Sequence, residues 1–240
     1  MRFDIITIFP QIFDSYLNES ILKRARAKKL IDIRIHNLRN FTSDKHNKIA
    51  LRSIRQAQDR HAQGNFEARR KIDDRPFGGG PGMVLMAEPI IKAVKKAAKL
   101  KKAKMVLFSA SGKQFDNKTA GKLFKYDQLI FVCGRYEGID ERVKKAIKDL
   151  GLGVEEISIG PYVLTGGELP AMVLIDAVSR QIPGVLGKNE SIEEKRLGIG
   201  VPAYTRPEVF AFGRKKYRVP NVLLSGNHKK IEEWRRKNKK

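Results

Sequence analysis

The sequence has few of the residues that cross-link a chain or bind metal. Its 240 residues include one cysteine, Cys133. A single cysteine excludes an internal disulfide and fits a reducing compartment, so we expect a cytoplasmic protein. It also lacks the paired Cys and His spacing of a zinc site, and we predict no bound metal.

Long apolar runs are missing as well. The opening stretch MRFDIITIFP carries Asp4 inside its apolar run and ends at Pro10, which is unlike a signal peptide. No uninterrupted apolar segment has the length needed to cross a bilayer. We therefore expect no membrane among its partners.

Acidic residues are scarce relative to basic ones. The chain has 49 Lys and Arg against 26 Asp and Glu, a formal net charge of +23. Such an excess favours a polyanionic partner, because basic side chains gain affinity by releasing counterions from phosphates. The alternative is a solvated basic surface of the kind found throughout a generally basic proteome.

Apolar segments of strand and helix length alternate along the first three quarters of the chain. Alternation of this kind is typical of an α/β fold with a largely parallel sheet. Asp116 is a predicted helix N-cap. The predicted strands are 2–9, 31–35, 105–110, 128–133 and 154–159, and the predicted helices are 11–17, 20–30, 88–102, 116–125, 139–150 and 168–182.

Two segments interrupt this alternation. Residues 47–70 are polar and rich in arginine, which predicts an exposed, partly helical insertion that either contacts RNA or is simply solvated. Residues 71–83 read KIDDRPFGGGPGM. Four glycines there permit close approach by a ligand or nucleotide, and a plain turn is the alternative. The segment lacks the Lys-Ser/Thr ending of a phosphate-binding P-loop.

The last quarter of the chain is more polar and more basic than the part before it. Residues 187–201 are polar and predict a linker, and residues 202–240 predict a short, basic, helical domain. Trp234, the only tryptophan, lies on the last predicted helix. It either anchors that helix in a small core, which we favour, or stacks on a base.

The stretch 130–187 concentrates the candidate chemistry. Two apolar runs each end in a glycine-bearing loop, the first at Cys133-Gly134 and the second at Gly160. Ligands in α/β proteins usually bind beyond the carboxyl ends of strands, so these loops predict a small-molecule pocket.

Long blocks of the sequence resemble one known family. They cover nearly the whole chain except the segment near 47–70, and they are FDIITIFPQIF, FTSDKH, DDRPFGGGPGM, VCGRYEGIDERV, ISIGPYVLTGGELPAMVLIDAVSRQIPGVLG, YTRPEVF and VLLSGNH. In order and almost without gaps, these blocks are similar to the bacterial tRNA (guanine-N1)-methyltransferase family, TrmD, of the SPOUT class.

The resemblance implies a fold that periodicity could not suggest. It implies an α/β SPOUT fold with a mostly parallel sheet, a deep trefoil knot on the C-terminal side and a small helical C-terminal domain. The expected organisation is a catalytic domain at 1–186, the linker at 187–201 and a basic tRNA-binding domain at 202–240. The family binds S-adenosylmethionine in the knot, forms homodimers with active sites at the subunit interface, and methylates N1 of guanosine 37 in tRNA.

The loops that resemble the cofactor-binding segments of the family are rich in glycine and small residues. Two of their positions depart from the family pattern, namely Ala110 in place of proline and Pro161 in place of aspartate. The implied cofactor-binding residues are Ser109, Ala110, Gly112, Gly134, Arg135, Tyr136, Glu137, Ile159, Gly160, Pro161, Tyr162, Val163, Leu164, Gly166 and Gly167.

Methyl transfer to guanine N1 requires that the N1 proton leaves and that charge developing on O6 is stabilised. Arg180 matches the catalytic arginine of the family, whose guanidinium is a suitable donor to O6. The alternative role for Arg180 is a helix ion pair with Asp176, four residues earlier.

The general base is where the sequence departs most from the family. The family has an aspartate eight residues after the VLG of the linker, and that position here is Lys195. A protonated lysine cannot accept a proton. Glu193 or Glu194 would substitute if the linker shifts by a residue or two, and we favour Glu194 as the catalytic base.

The resemblance implies that Arg206, Arg214, Lys215 and Lys216 bind RNA. Two alternatives to the methyltransferase remain at this point. One is a knotted RNA-binding protein without turnover, since the aspartate is absent. The other is a SPOUT methyltransferase that acts on a different RNA.

Overall fold

The computed structural model describes residues 1–42, 71–187 and 200–239. The predicted insertion at 47–70 and the predicted base Glu194 lie outside the described residues. The chain divides into two compact units, Met1–Val185 and Leu186–Lys240. No helix in the described ranges is long and apolar enough to cross a membrane.

The first unit is built on a five-stranded sheet in which every pairing is parallel. The strands are β1 (Arg2–Thr7), β2 (Asp32–Asn37), β5 (Ala103–Gln114), β6 (Gln128–Val132) and β7 (Gly153–Ser158). Their order is β2-β1-β6-β5-β7, which confirms the predicted α/β class. β6 is central and buried along its whole length, as the apolar run LIFV after Gln128 predicts.

Helices cover both faces of this sheet, and each face has its own apolar core. The helices are α1 (Asp14–Leu17), α2 (Ser20–Ala27), α3 (Ala87–Ala97), α4 (Asn117–Leu123), α5 (Arg142–Asp149) and α6 (Glu168–Ser179), with 3-10 turns at Pro10–Phe13 and Leu38–Phe41. One core joins α1, α2, α4 and α6 to the side chains of Phe3 and Phe131. The other joins α3 and α5 to Ile6 and Ile130.

The amino-terminal halves of β1 and β6 carry a network of polar side chains in which Asp4 and Gln128 are buried, and His36 reaches it from the fifth residue of β2. Asp4 of β1 accepts hydrogen bonds from Arg2, from Gln128 at the start of β6 and, at 2.7 Å, from His36 Nε2. Gln128 also donates to Ala97 O and accepts from the backbone N–H groups of Lys99 and Leu100. This amino-edge network therefore fixes the chain that follows α3 to the central strands.

The network also sets the charge of its central carboxyl group. Burial alone would raise the pKa of Asp4, but the hydrogen bonds from His36, Arg2 and Gln128 outweigh it. The pKa of Asp4 is therefore lowered, and the group is a carboxylate.

One strand is longer than predicted. The prediction ended the strand at 110, whereas β5 continues to Gln114 after a register shift in which Phe108 and Lys113 both pair with Ile157. The residues between them are skipped in the pairing with β7, so the glycine of the Ser111-Gly112 pair marks a bulge within the strand and not its end.

The second unit contains a hairpin that the prediction of a helical domain omits. β8 (Val209–Phe212) pairs antiparallel with β9 (Lys215–Arg218) through a turn at Gly213, whose φ is +60°. Each strand has only four residues, and neither VFAF nor KKYR alternates apolar with polar residues, so the sequence does not predict them as strands. Helices α7 (Asn221–Leu224) and α8 (His228–Lys237) follow, and the ring of Trp234 on α8 packs against Tyr204 at 6.2 Å between centroids. This contact supports the anchoring role of Trp234.

Candidate active site

A cavity of about 250 Å³ opens at the carboxyl ends of β5, β6 and β7. The bulge of β5 and the loops after β6 and β7 form it, and the start of α6 closes one side. The lining consists of Phe108, Ser109, Ala110, Gly134, Arg135, Tyr136, Glu137, Gly138, Ile157, Ser158, Ile159, Gly160, Tyr162, Val163, Leu164, Thr165, Gly166, Gly167 and Pro170. We refer to this space as the carboxyl-edge cavity.

The predicted cofactor-binding residues gather at this cavity. All of them except Gly112 and Pro161 line it. Sequence reasoning missed Phe108, Ile157 and Pro170, which add apolar surface. They were hidden because each lies inside a strand or helix segment that a core would also explain. The binding roles of the lining residues remain predictions.

Gly112 serves the packing of β5 on β7. A Cβ atom there would lie 2.9 Å from backbone atoms of Glu156 and Ile157, too close for any side chain. The bulge at this point turns Ser109 and Ala110 into the cavity, where the hydroxyls of Ser109 and Ser111 are 2.9 Å apart. Gly112 therefore acts on the cavity by shaping the strand beside it.

The loop after β7 is a self-contained turn. The Ser158 hydroxyl donates to Gly160 O at 2.8 Å and accepts from Gly160 N–H at 3.2 Å, while the Tyr162 hydroxyl donates to Ile159 O. A Cβ atom on Gly160 would lie 2.1 Å from the Tyr162 ring. Glycine at 160 is therefore required for the tyrosine to fold back over the turn.

Helix α6 begins against the end of β6. Gly167 N–H donates to Gly134 O at 3.0 Å, and a Cβ atom on Gly167 would lie 2.7 Å from the Cα of Cys133. Close backbone contact of this kind admits only glycine. The Cys133 thiol is buried, and burial first, then the nearby Glu168, raises its pKa, which makes Cys133 a packing residue and not a nucleophile.

Glu168 and Thr7 form a buried polar contact that sequence reasoning missed. The Thr7 hydroxyl donates to Glu168 Oε1 at 2.7 Å, and Arg135 Nε lies 2.9 Å from Glu168 Oε2. That N–H is not aligned for a hydrogen bond, so the second contact is electrostatic. The Arg135 guanidinium also lies over the Phe9 ring, 4.8 Å from its centroid, and donates to Thr165 O. Arg135 is therefore fixed at the wall of the cavity.

The glycine-rich segment docks beside the cavity. Its two short strands, β3 (Asp73–Asp74) and β4 (Val84–Leu85), pair with each other, and Glu137 N–H donates to Met83 O at 3.0 Å. Tyr136 has a positive φ of 60°, and burial together with the carboxylate of Asp73 raises its pKa. The intervening glycines, Gly78 to Gly80, have open space around them. The segment is thus positioned for close approach to whatever occupies the cavity.

Arg180 is not brought to this cavity within one chain. It follows the last residue of α6, whose first residues line the cavity. A helix of 12 residues rises roughly 18 Å at about 1.5 Å per residue, so Arg180 lies at the far end of α6 from the cavity.

Asp176, the residue that the sequence offered as an ion-pair partner of Arg180, accepts a hydrogen bond of 2.6 Å from the Tyr16 hydroxyl. This bond raises the pKa of Tyr16 to about 12.

An apolar surface adjoins the cavity. Ile159, Tyr162 and Leu164 line both the cavity and a shallow groove that continues onto the outer side of α6. The groove is completed by Ser15, Tyr16, Leu169, Met172 and Val173. Several of these side chains are well exposed, Leu169 at 56% and Val173 at 44%. A contiguous apolar patch of this kind is typical of an interaction surface.

The predicted RNA-binding residues lie in the second unit and are exposed. Arg214 lies in the turn of the β8–β9 hairpin, and Lys215 and Lys216 lie on β9. Arg206 lines a groove together with Tyr204 and Arg235. Among the described residues of the chain, no group of three or more His, Cys, Asp or Glu side chains is placed to hold a metal ion.

Comparison with known proteins gives a family match and close relatives. The family model described as tRNA (Guanine-1)-methyltransferase TrmD matches residues 1–55 and 56–240. Three relatives are each named tRNA (guanine-N(1)-)-methyltransferase. The protein from Dictyoglomus turgidum is 46% identical over 99% of this chain and 84% of its own length. That from Carboxydothermus hydrogenoformans is 45% identical over 99% and 82%, and that from Clostridioides difficile is 43% identical over 98% and 91%. The chain belongs to the tRNA (guanine-1)-methyltransferase family.

Proposed function

We propose that this chain transfers a methyl group from S-adenosylmethionine to N1 of guanosine 37 in tRNA. One observation carries the proposal: loops far apart in sequence meet at the carboxyl-edge cavity, and they are the loops that resemble the cofactor-binding segments of the family. The names of the relatives support the reaction, and the net charge of +23 supports an RNA substrate.

The residues of the cavity fit S-adenosylmethionine. Phe108, Ile157 and Leu164 offer apolar surface for an adenine ring, and the glycine-rich turns leave backbone groups within reach of a ligand. Glu137 is an exposed carboxylate in the lining, suited to ribose hydroxyls or to a cationic group. The bound cofactor would supply an electrophilic methyl group on a sulfonium. We assign no metal to the site.

The chain supplies two further functions for the reaction. The Arg180 guanidinium would donate to guanine O6 and stabilise the charge that develops there as the N1 proton leaves. Glu194 would accept that proton, in place of the aspartate that the family has where this chain has Lys195.

The position of Arg180 favours a homodimer. Because Arg180 lies at the far end of α6 from the cavity of its own chain, a second copy would have to bring its arginine to the site. The apolar surface around Leu169 and Val173 is continuous with the cavity wall and is suited to that contact. Each active site would then combine a cofactor cavity from one subunit with Arg180 of the other.

The remaining features of the family complete the proposal. Residues 1–186 would form a SPOUT catalytic domain with a trefoil knot through the cofactor loops, followed by the linker at 187–201. Residues 202–240 would form the tRNA-binding domain, with Arg206, Arg214, Lys215 and Lys216 on RNA phosphates. The protein would act in the cytoplasm.

Methyl transfer from labelled S-adenosylmethionine to a tRNA transcript with guanosine at position 37 tests the function. We expect a single 1-methylguanosine, detected by mass analysis of nucleosides, and no product when the base is adenosine. Equal labelling of the adenosine transcript would contradict the assigned position. Binding of tRNA without product under single-turnover conditions would instead indicate a catalytically impaired RNA-binding protein.

Mixed dimers test whether Arg180 of one subunit acts at the cavity of the other. Arg180→Ala should lower the single-turnover rate by about 10²- to 10³-fold, the usual cost of losing one oxyanion donor. Co-expression with a Gly167→Val chain, whose cavity is blocked, should restore part of the activity, because one of the two sites in each mixed dimer is intact. A mixture no more active than either variant alone would contradict the shared site.

The same single-turnover assay tests the general base. Glu194→Gln should slow methyl transfer, because the amide cannot accept the N1 proton, while the control Glu193→Gln should not.

A further inference from the structure

A second concentration of positive charge lies on the layer formed by α3 and α5. Residues 87–102 contain six lysines and one acidic residue. On α3 the inward positions are Ala93, Val94 and Ala97, which leaves Lys95 exposed, and Lys99 is exposed two residues after the helix ends. On α5 Val143 and Ile147 face inward, which leaves Lys145 and Lys148 exposed. These four lysines form what we name the lysine face.

The two helices present their lysines side by side. Lys95 of α3 and Ala146 of α5 line the same surface groove, so the outer sides of the helices are neighbours. Most acidic residues of this layer are engaged elsewhere, while Asp149, the last residue of α5, is exposed beside Lys148. Glu88 pairs with Lys92, Asp140 with Arg142, and Glu141 and Glu156 share Lys144. Within the ranges that the structure describes, the lysine face itself has no ion pair.

The end of α3 is held in place from inside the protein. Gln128 accepts hydrogen bonds from the N–H groups of Lys99 and Leu100, 3.1 Å each, and donates to Ala97 O. Gln128 in turn donates to the buried carboxylate of Asp4. A fixed backbone presents lysines at a constant spacing, and less backbone freedom is then lost when a ligand binds.

We propose that the lysine face binds the phosphate backbone of the substrate tRNA, at a distance from the cavity where methyl transfer occurs. Unpaired like charges held close together repel one another, and a polyanion relieves that repulsion while its own counterions are released. The inference rests on the proposed function only in naming tRNA as the RNA. It assigns the face to affinity and orientation, not to chemistry.

The test compares two variants that lose the same charge. K95Q/K99Q/K145Q/K148Q removes the lysine face, while K23Q/K28Q/K122Q/K125Q removes four exposed lysines from the opposite layer, on and after α2 and α4. Filter binding of a tRNA transcript without methyl donor, from 50 to 300 mM KCl, gives Kd and its salt slope. We expect the first variant to lose at least tenfold in affinity and up to about 3.6 in slope, since each of four phosphate contacts contributes about 0.9.

Three outcomes decide the proposal. Loss in the lysine-face variant alone, with binding kept by K95R/K99R/K145R/K148R, supports it. Equal losses in both glutamine variants would show that overall charge matters and not this face, and an unchanged slope would show that these lysines are only solvated. Thermal unfolding verifies that all variants are folded. Failure of the wild-type protein to methylate tRNA would overturn the proposed function, while the binding slopes would still decide the lysine face.

Discussion

The two edges of the central sheet are built in opposite ways from the same parallel strands. At the amino edge, side chains from the first halves of β1 and β6 contact one another, with Asp4 and Gln128 buried and hydrogen-bonded. At the carboxyl edge, the bulge of β5 and the glycine-bearing loops after β6 and β7 leave a cavity of about 250 Å³. The amino edge therefore stabilises the fold, and the carboxyl edge is available to a ligand.

The difference shows how one sheet separates stability from binding. Buried polar side chains are costly unless each finds a partner, so the amino edge tolerates little change. Loops of glycine and small residues bury less and expose backbone groups, which makes them suited to a ligand and less important for the free energy of unfolding. Substitutions at the two edges should therefore affect different measurements.

The largest effect is expected at the amino edge. Asp4→Asn should lower the free energy of unfolding by about 3 kcal/mol, because Arg2 loses its buried partner. Urea unfolding measures the change. The control Asp32→Asn removes a carboxylate from the exposed pair with Arg34 and should cost less than about 1 kcal/mol. An Asp4 variant as stable as the control would remove the distinction between the edges.

The pH dependence of stability sharpens the same point. A carboxyl group whose pKa is lowered by folding contributes fully above its ordinary pKa, and the contribution disappears as the pH falls through the lowered value. For Asp4 we therefore expect the wild-type protein to lose stability more steeply than Asp4→Asn below about pH 4. Parallel unfolding curves for the two proteins between pH 2 and pH 6 would show that Asp4 does not titrate as described.

At the carboxyl edge the expected effect is on binding. Glu137→Gln should weaken S-adenosylmethionine binding by about tenfold, the value of a hydrogen bond to a charged group, and leave the melting temperature unchanged. Calorimetric titration measures the affinity. The control Glu88→Gln changes an exposed residue that does not line the cavity. A lower melting temperature with unchanged cofactor affinity would show that Glu137 stabilises the fold and does not bind the cofactor.

The smallest effect separates two glycines of one segment. Gly79 and Gly82 have φ values of +81° and +83°, so alanine at either should cost about 1 kcal/mol of strain. A Cβ atom at Gly79 meets nothing within 4 Å, whereas at Gly82 it would lie 2.5 Å from Glu137 Oε1. We expect Gly82→Ala, and not Gly79→Ala, to weaken cofactor binding. Equal affinities would mean that Glu137 moves aside without consequence.

The sequence predicted local features well because their causes are local. The strands of the sheet and the Asp116 cap, whose carboxylate accepts from Thr119 N–H at 2.7 Å, follow from patterns a few residues long. The site residues came from the family resemblance, and the structure brings most of them to one cavity. Contacts between distant segments were not predictable in this way. The Thr7–Glu168 bond joins residues 161 positions apart, and no spacing in the sequence indicates it.

Other differences have equally specific causes. The continuation of β5 depends on a bulge that only its pairing with β7 defines. The β8–β9 hairpin was hidden because its strands have four residues each, and three of the four residues of β9 are charged. The place of Arg180 at the far end of α6 follows from helix length, and the sequence resemblance contained no information on which subunit it serves.

Hydrogen–deuterium exchange with and without S-adenosylmethionine tests the central claim most directly. We predict slower exchange in the three cavity loops, at 108–112, 134–138 and 158–167, and unchanged exchange at the amino edge around residues 2–4 and 97–100. No protection by saturating cofactor, or protection confined to residues outside these loops, would contradict the assignment of the carboxyl edge as the methyl-donor site.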